Sequence, residues 1–259
     1  MILPGSFGRR RLVRAAILGT LAMRAPALAV RAADETKEDP HWSYDGDEGP
    51  EFWGDLDPKF AACSLGMQQS PIAFNLSETS VTPDLKLPTG PANLASIENN
   101  GHTIVVTADP GVILTANGTE FQLREIHFHA PSEHRIDGVI YPMEYHQVFV
   151  SADGNIAAVG VLVKEGPVNE TLAPIFDALP TKEGPALPLT ASIDASGLYP
   201  EDRMTFTYIG SLTTPPCTEG LFWEVFTEPV TVSVEQMARY LAIFPFNARP
   251  IQATPMPGA

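Results

Sequence analysis

Apolar and polar positions alternate with a period of two in several short runs of this chain, each closed by proline, glycine or asparagine. Period two places successive side chains on opposite faces, so such runs predict β-strands with one buried face. The shorter candidates are residues 70–74 (Ser-Pro-Ile-Ala-Phe), 94–97 (Leu-Ala-Ser-Ile) and 102–107 (His-Thr-Ile-Val-Val-Thr). Longer ones cover 121–129 and 143–150, followed by a nearly continuous apolar run at 156–163 that suits a strand covered on both faces. Asn99-Asn-Gly and Ala116-Asn-Gly supply turn chemistry between runs. Only 170–178 and 234–243 carry helical periodicity, the second behind a Ser233 cap with Gln236 three residues on. Residues 34–60, acidic and rich in Trp and Pro, read as an irregular wrap. The expected class is mainly β.

The N-terminus carries a different signal. Arg9, Arg10, Arg11 and Arg14 precede an apolar run from Ala15 to Met23, and small residues follow at Ala25, Ala27, Ala29, Ala32 and Ala33. That order predicts a removable export leader over 1–33, with an apolar run too short to span a bilayer. The remainder, 34–259, has no composition break, repeat or long linker and reads as one domain. Its 25 prolines and 20 glycines are spread along the whole chain, as many short strands joined by turns require.

The leader also hides the charge. Of 16 basic residues, six precede Asp34 and no acidic residue does, so 34–259 carries 10 basic against 31 acidic groups, a formal charge of −21. This excludes the basic footprint of nucleic-acid binding. No further apolar segment is long enough for a membrane span, and no feature bears on oligomeric state. The two cysteines, Cys63 and Cys217, favour a disulfide in an exported chain and two separate thiols otherwise.

The chemistry concentrates in residues 125–146. His127 and His129 stand at i and i+2 on one predicted strand, and Glu144 and His146 repeat that spacing on the next. If the strands are neighbours, three neutral imidazoles converge with one position left open, the ligand set of a catalytic zinc. A ligating imidazole needs its other N–H held by an acceptor, which Glu144 could provide across strands. Glu133 is a second carboxylate, placed for a hydroxyl partner.

His127-x-His129-x-x-x-Glu133 resembles the first metal motif of the cupins, β-barrels with a histidine-rich centre, but the second cupin motif is absent around His146. A longer resemblance runs from about Trp42 to Gln252. Tyr44 to Trp53, Gln69-Ser-Pro-Ile, Asn99-Asn-Gly-His, His127 to His134, Glu144-x-His146, Ser211-Leu-Thr-Thr-Pro-Pro and Asn247-Ala-Arg-Pro-Ile-Gln occur in the order of the α-class carbonic anhydrases. Taken together they closely resemble that family.

The resemblance implies a single domain on a large, twisted, mostly antiparallel central sheet with a few short peripheral helices. It implies Zn2+ held by His127, His129 and His146, supported by Glu125, Glu144 and Asn247. Thr213 would accept a hydrogen bond from zinc hydroxide and donate to Glu133, so that the hydroxide attacks CO2 to form bicarbonate. Thr214 would lie beside the substrate water. Val148, Ile156, Ala158, Leu212, Leu221 and Trp223 would form the apolar CO2 wall, and His102 would shuttle the proton. Sulfonamides and anions are the implied inhibitors. Cys63 and Cys217 match the disulfide of exported members, which points to a periplasmic or secreted protein, or alternatively to a thylakoid lumen or other non-cytosolic compartment. Glu125 departs from the glutamine that many members carry, and a carboxylate there is expected to raise the pKa of the zinc-bound water. A relative that has lost catalysis and only binds is the competing reading, but such relatives usually lose a zinc histidine.

Overall fold

The computed structural model describes residues 40–253 apart from 80 and 83, so the leader expected over 1–33 lies outside the described residues. Among the described residues there are eleven strands: β1 Ala73–Phe74, β2 Pro91–Asn99, β3 Ile104–Ala108, β4 Ile113–Ala116, β5 Thr119–His129, β6 Arg135–Ile136, β7 Met143–Ser151, β8 Ile156–Glu165, β9 Leu187–Asp194, β10 Thr205–Ser211 and β11 Glu219–Val232. Nine form one sheet in the order β10-β11-β8-β7-β5-β3-β2-β9, with β4 paired to β5; β1 and β6 form a small parallel pair. Every pairing in the large sheet is antiparallel except β8 with β11. The mainly β, mostly antiparallel expectation is met, around a single parallel joint.

The described residues also form four short peripheral α-helices: α1 Trp53–Leu56, α2 Ala62–Leu65, α3 Ala173–Asp177 and α4 Val234–Leu241. In α4, Ser233 Oγ accepts from Gln236 N–H and Gln236 Oε1 accepts from Ser233 N–H, a reciprocal cap that closes both ends of the first turn. The helix expected over 170–178 is shorter. Pro174 has no N–H to give and fits only a first helical turn, so α3 opens at Ala173. Its leading residues form a turn in which Asn169 Oδ1 accepts from Leu172 N–H.

β8 explains the core. Ala157 through Val163 are all buried, and alternate residues enter two separate apolar clusters. Ala157, Val159, Val161 and Val163 join the main core with Phe128, Tyr145, Phe149 and Phe226. Ala158 and Leu162 face the other way, onto Trp223, Val225 and Leu221. A third cluster gathers Trp42, Tyr44, Trp53 and Phe60 around the disulfide between Cys63 and Cys217, so the N-terminal wrap is packed rather than loose. The Asn117-Gly118 turn joins β4 to β5 with φ of 50° and 77°, the left-handed pair that a two-residue hairpin needs.

The strand that carries two of the histidines contains an irregularity. β5 pairs Leu123 with Phe149 and Glu125 with Val148, which leaves Arg124 as an extra residue, a β-bulge. The bulge shifts the phase of alternation. Phe121 and Leu123 enter the core before it, Ile126 and Phe128 after it. Glu125, His127 and His129 therefore share the opposite face.

Candidate metal centre

Adjacent pairing of β5 and β7 sets His127 opposite His146 and His129 opposite Glu144. The three imidazoles meet: ring centroids are 5.1 Å apart for His127–His129, 5.2 Å for His127–His146 and 4.5 Å for His129–His146. One nitrogen from each lies within 4.8 Å of the others.

The outer nitrogens are held. His129 Nδ1–H donates to the Asn247 backbone carbonyl at 2.9 Å, which leaves Nε2 as the lone-pair nitrogen, buried and without a partner. His146 Nε2–H donates to Glu144 Oε1 at 2.8 Å, turning Nδ1 inward. Glu125 Oε1 lies 3.1 Å from His127 Nδ1, close enough for a charge–dipole contact but out of line for a hydrogen bond. The tautomers of His129 and His146 are thus assigned by the partner on the far side of each ring.

Glu144 serves more than one partner, and it supports an imidazole on its own strand rather than across strands. Its Oε1 also takes the Nδ1 of His134 at 2.7 Å, and its Oε2 accepts from the backbone N–H groups of Glu133 and His134. Burial opposes its ionisation, but His134 and His146 outweigh burial and hold the carboxyl well below the usual carboxylate range. Gly160, paired with His146, makes the room: a Cβ there would come within 2.9 Å of Glu144 Oε1. His134 in turn meets the Tyr208 hydroxyl at 2.8 Å, which meets Ser70 Oγ at 2.8 Å. His134, Tyr208 and Ser70 carry this support without having been singled out by spacing. The sequence signal for His134 was only its place at the end of the histidine block.

Burial also dominates the imidazoles. His129 is pushed well below its ordinary pKa and His146 down to about 4, first by desolvation and then by the neighbouring imidazoles. Neutral rings are what a metal requires. Glu133 Oε1 accepts from Arg249 N–H at 2.8 Å, and the Thr213 hydroxyl is close enough to stabilise its charged form, though Oε2 has no aligned donor. Desolvation pushes Glu133 well above the usual carboxylate range. Arg249 itself donates to the carbonyls of Ser70 and Cys63 and lies over Trp53, tying the C-terminal segment to the disulfide region.

A cavity of about 250 Å³ opens onto this cluster. Val148, Ile156, Ala158, Leu212, Thr213, Thr214 and Trp223 line it with His127 and His146. Leu221, expected in the same wall, is buried behind it against Ala158 and Trp223. Arg124 and Glu125 line the cavity too. His102 does not join the imidazole cluster: it sits in the β2–β3 turn with its ring stacked on Trp42, centroids 3.7 Å apart and planes 8° from parallel. Partial burial and His41 lower its pKa. A larger cavity, about 650 Å³ between α3 and α4, holds Asp177 and Arg239 but no imidazole.

The donor set of three converging imidazole nitrogens, one of them buried without any partner, fits a catalytic zinc. Fold and site together define a mainly β protein whose cleft ends in three histidines that could hold a metal. The family model for eukaryotic-type carbonic anhydrases matches residues 48–253, and the chain belongs to that family, whose enzymes are carbonate dehydratases. A carbonic anhydrase of Nostoc is 40% identical over 217 residues, covering 82% of each chain. The solved α-carbonic anhydrase of Thermovibrio ammonificans, in complex with the inhibitor sulfanilamide, is 42% identical and covers 83% of this chain and 96% of its own, with a TM-score of 0.76. Dioscorin in complex with ascorbate, 32% identical, covers 83% of this chain and 95% of its own at a TM-score of 0.76.

Proposed function

We propose that this carbonic anhydrase hydrates CO2 reversibly as a zinc enzyme, with His127, His129 and His146 as the ligands. The observation that carries the reading is the convergence of three imidazoles whose outer nitrogens are each faced by a separate acceptor. Zinc bound there supplies a Lewis acid that brings the pKa of its water to about 7, the figure known from characterised carbonic anhydrases.

The chain supplies the rest. Val148, Ile156, Ala158, Leu212 and Trp223 give CO2 an apolar wall that holds it weakly, with Leu221 backing that wall. Thr213 accepts the hydrogen of the attacking water's oxygen and donates its own to Glu133, so a lone pair faces the carbon. Glu133 must be ionised for this, and a dication beside it offsets the burial that pushes its pKa up. Thr214 stands beside the substrate water. His102, neutral at pH 7 because its pKa is lowered, is ready to take the proton outward.

Export to a periplasm or to the medium completes the proposal. It is supported by the arginine–apolar–small order of 1–33 and by the disulfide. Among the described residues no helix is long and apolar enough to cross a membrane. The test is CO2 hydration by the purified protein with and without a chelator or a sulfonamide, alongside metal analysis. About one zinc per chain with hydration abolished by either agent is expected; full zinc without hydration would favour a binding protein.

A further inference from the structure

We propose that Arg124 is an anion-attracting subsite at the lip of the cleft, which draws bicarbonate and anionic inhibitors inward and is indifferent to neutral CO2. The inference rests on the zinc-enzyme reading above.

Four observations carry it. Arg124 is the extra residue of the β5 bulge, which frees it from the strict alternation that would otherwise send it toward the core or away from the site. It is exposed yet lines the same cavity as His127, His146 and Thr214. Its guanidinium has no ion pair or hydrogen bond with the described residues. Among the described residues it is the only lysine or arginine lining that cavity. Glu125 shares the wall, but its carboxylate is turned to His127 Nδ1 at 3.1 Å rather than to Arg124.

The physical argument is one of contrast. A chain of formal charge −15 repels an anion from most directions. The reaction turns a neutral gas into an anion, so a lone cation at the mouth acts on one side of the equilibrium only. Three residues of strand separate Arg124 from His127, about 10 Å, which is near the Debye length of about 8 Å at physiological salt. The effect is therefore modest and salt-dependent. An aryl sulfonamide anchored at the metal with a para substituent directed outward would place that substituent toward the lip, so charge on the substituent reads Arg124 directly.

The experiment compares two benzenesulfonamides of equal size, one with a para carboxylate and one with a para carboxamide. Each is titrated calorimetrically into the zinc-loaded protein and into Arg124→Ala and Arg124→Lys. At low salt Arg124→Ala is expected to weaken the carboxylate ligand about three- to fivefold, with the carboxamide nearly unchanged, the range for one solvent-exposed charge pair. Arg124→Lys restores the preference, and high salt erases it. The KM for bicarbonate in dehydration rises in Arg124→Ala while the KM for CO2 stays within about twofold. The two values of kcat/KM are tied by the overall equilibrium, so kcat for dehydration rises with that KM. An equal loss for both ligands, or no loss for either, overturns the subsite. Wild-type protein that binds neither ligand and hydrates no CO2 instead overturns the zinc-enzyme reading, and the subsite with it.

Discussion

Glu125 Oε1 stands 3.1 Å from His127 Nδ1, so a carboxylate rather than a neutral amide faces the outer edge of that imidazole. Burial would raise the Glu125 pKa, but its contact with His127 outweighs burial and keeps the carboxyl below the ordinary value. Negative charge passed toward the metal disfavours loss of a proton from the water bound there. Glu125→Gln is expected to shift the midpoint of the pH–rate profile of CO2 hydration downward by a few tenths of a unit to one unit. An unmoved midpoint would show that the carboxylate is electrostatically silent.

His102→Ala should lower the maximal hydration rate about tenfold or more in dilute buffer while leaving kcat/KM for CO2 unchanged, because the proton leaves after the chemistry. A concentrated small imidazole buffer should restore much of the lost rate. A fall in kcat/KM instead would mean that the stack on Trp42 holds the cleft together rather than carrying protons.

Glu144 accepts from His146, His134 and two backbone N–H groups. Glu144→Gln keeps the shape but removes the charge and turns a donor toward one imidazole. Zinc affinity, read by competition with a chelator, is expected to drop about 10- to 100-fold. Glu144→Ala should cost more and destabilise the fold as well, because buried donors lose their only partner.

Removing the metal exposes the protonation cost of the cluster. His146 has its pKa lowered from 6.5 to about 4, and His129 is lowered too. Between those values the unfolded chain binds protons that the folded chain does not, so stability falls as pH drops from 6.5 toward 4. His146 alone accounts for about 3 kcal/mol at the lower end. Glu133, whose pKa is raised, acts in the opposite direction within this window. Denaturant titrations of metal-free wild type and His146→Gln at pH 6.8 and 4.5 isolate the term. The wild type should lose more stability than the variant over that interval.

Much of the fold was legible because its local signals agree with its tertiary role. The apolar run at 156–163 announces a doubly covered strand, and Ala157 to Val163 are buried between two clusters. The i, i+2 spacing of His127 and His129, and of Glu144 and His146, already placed the cleft face. The edge of the sheet was not legible. β9 and β10 alternate buried with exposed residues too irregularly to stand out, and β11 runs through Pro229 with a register shift between Phe226 and Val230. Long-range support was legible only through the family resemblance. It named Asn247, which holds His129 by its main-chain carbonyl, a contact that no residue spacing announces.

The extra residue at position 124 makes β5 a strand with two phases, one serving the core ahead of it and one behind it. Replacing its side chain leaves the strand's two phases intact; removing the residue does not. Delete one residue there and the bookkeeping of inside and outside inverts for everything downstream: the imidazoles turn toward Tyr145 and Phe149, and Ile126 and Phe128 turn toward water. Homologues should therefore keep the number of residues at this point even where another side chain replaces the arginine, and its pull on anions with it.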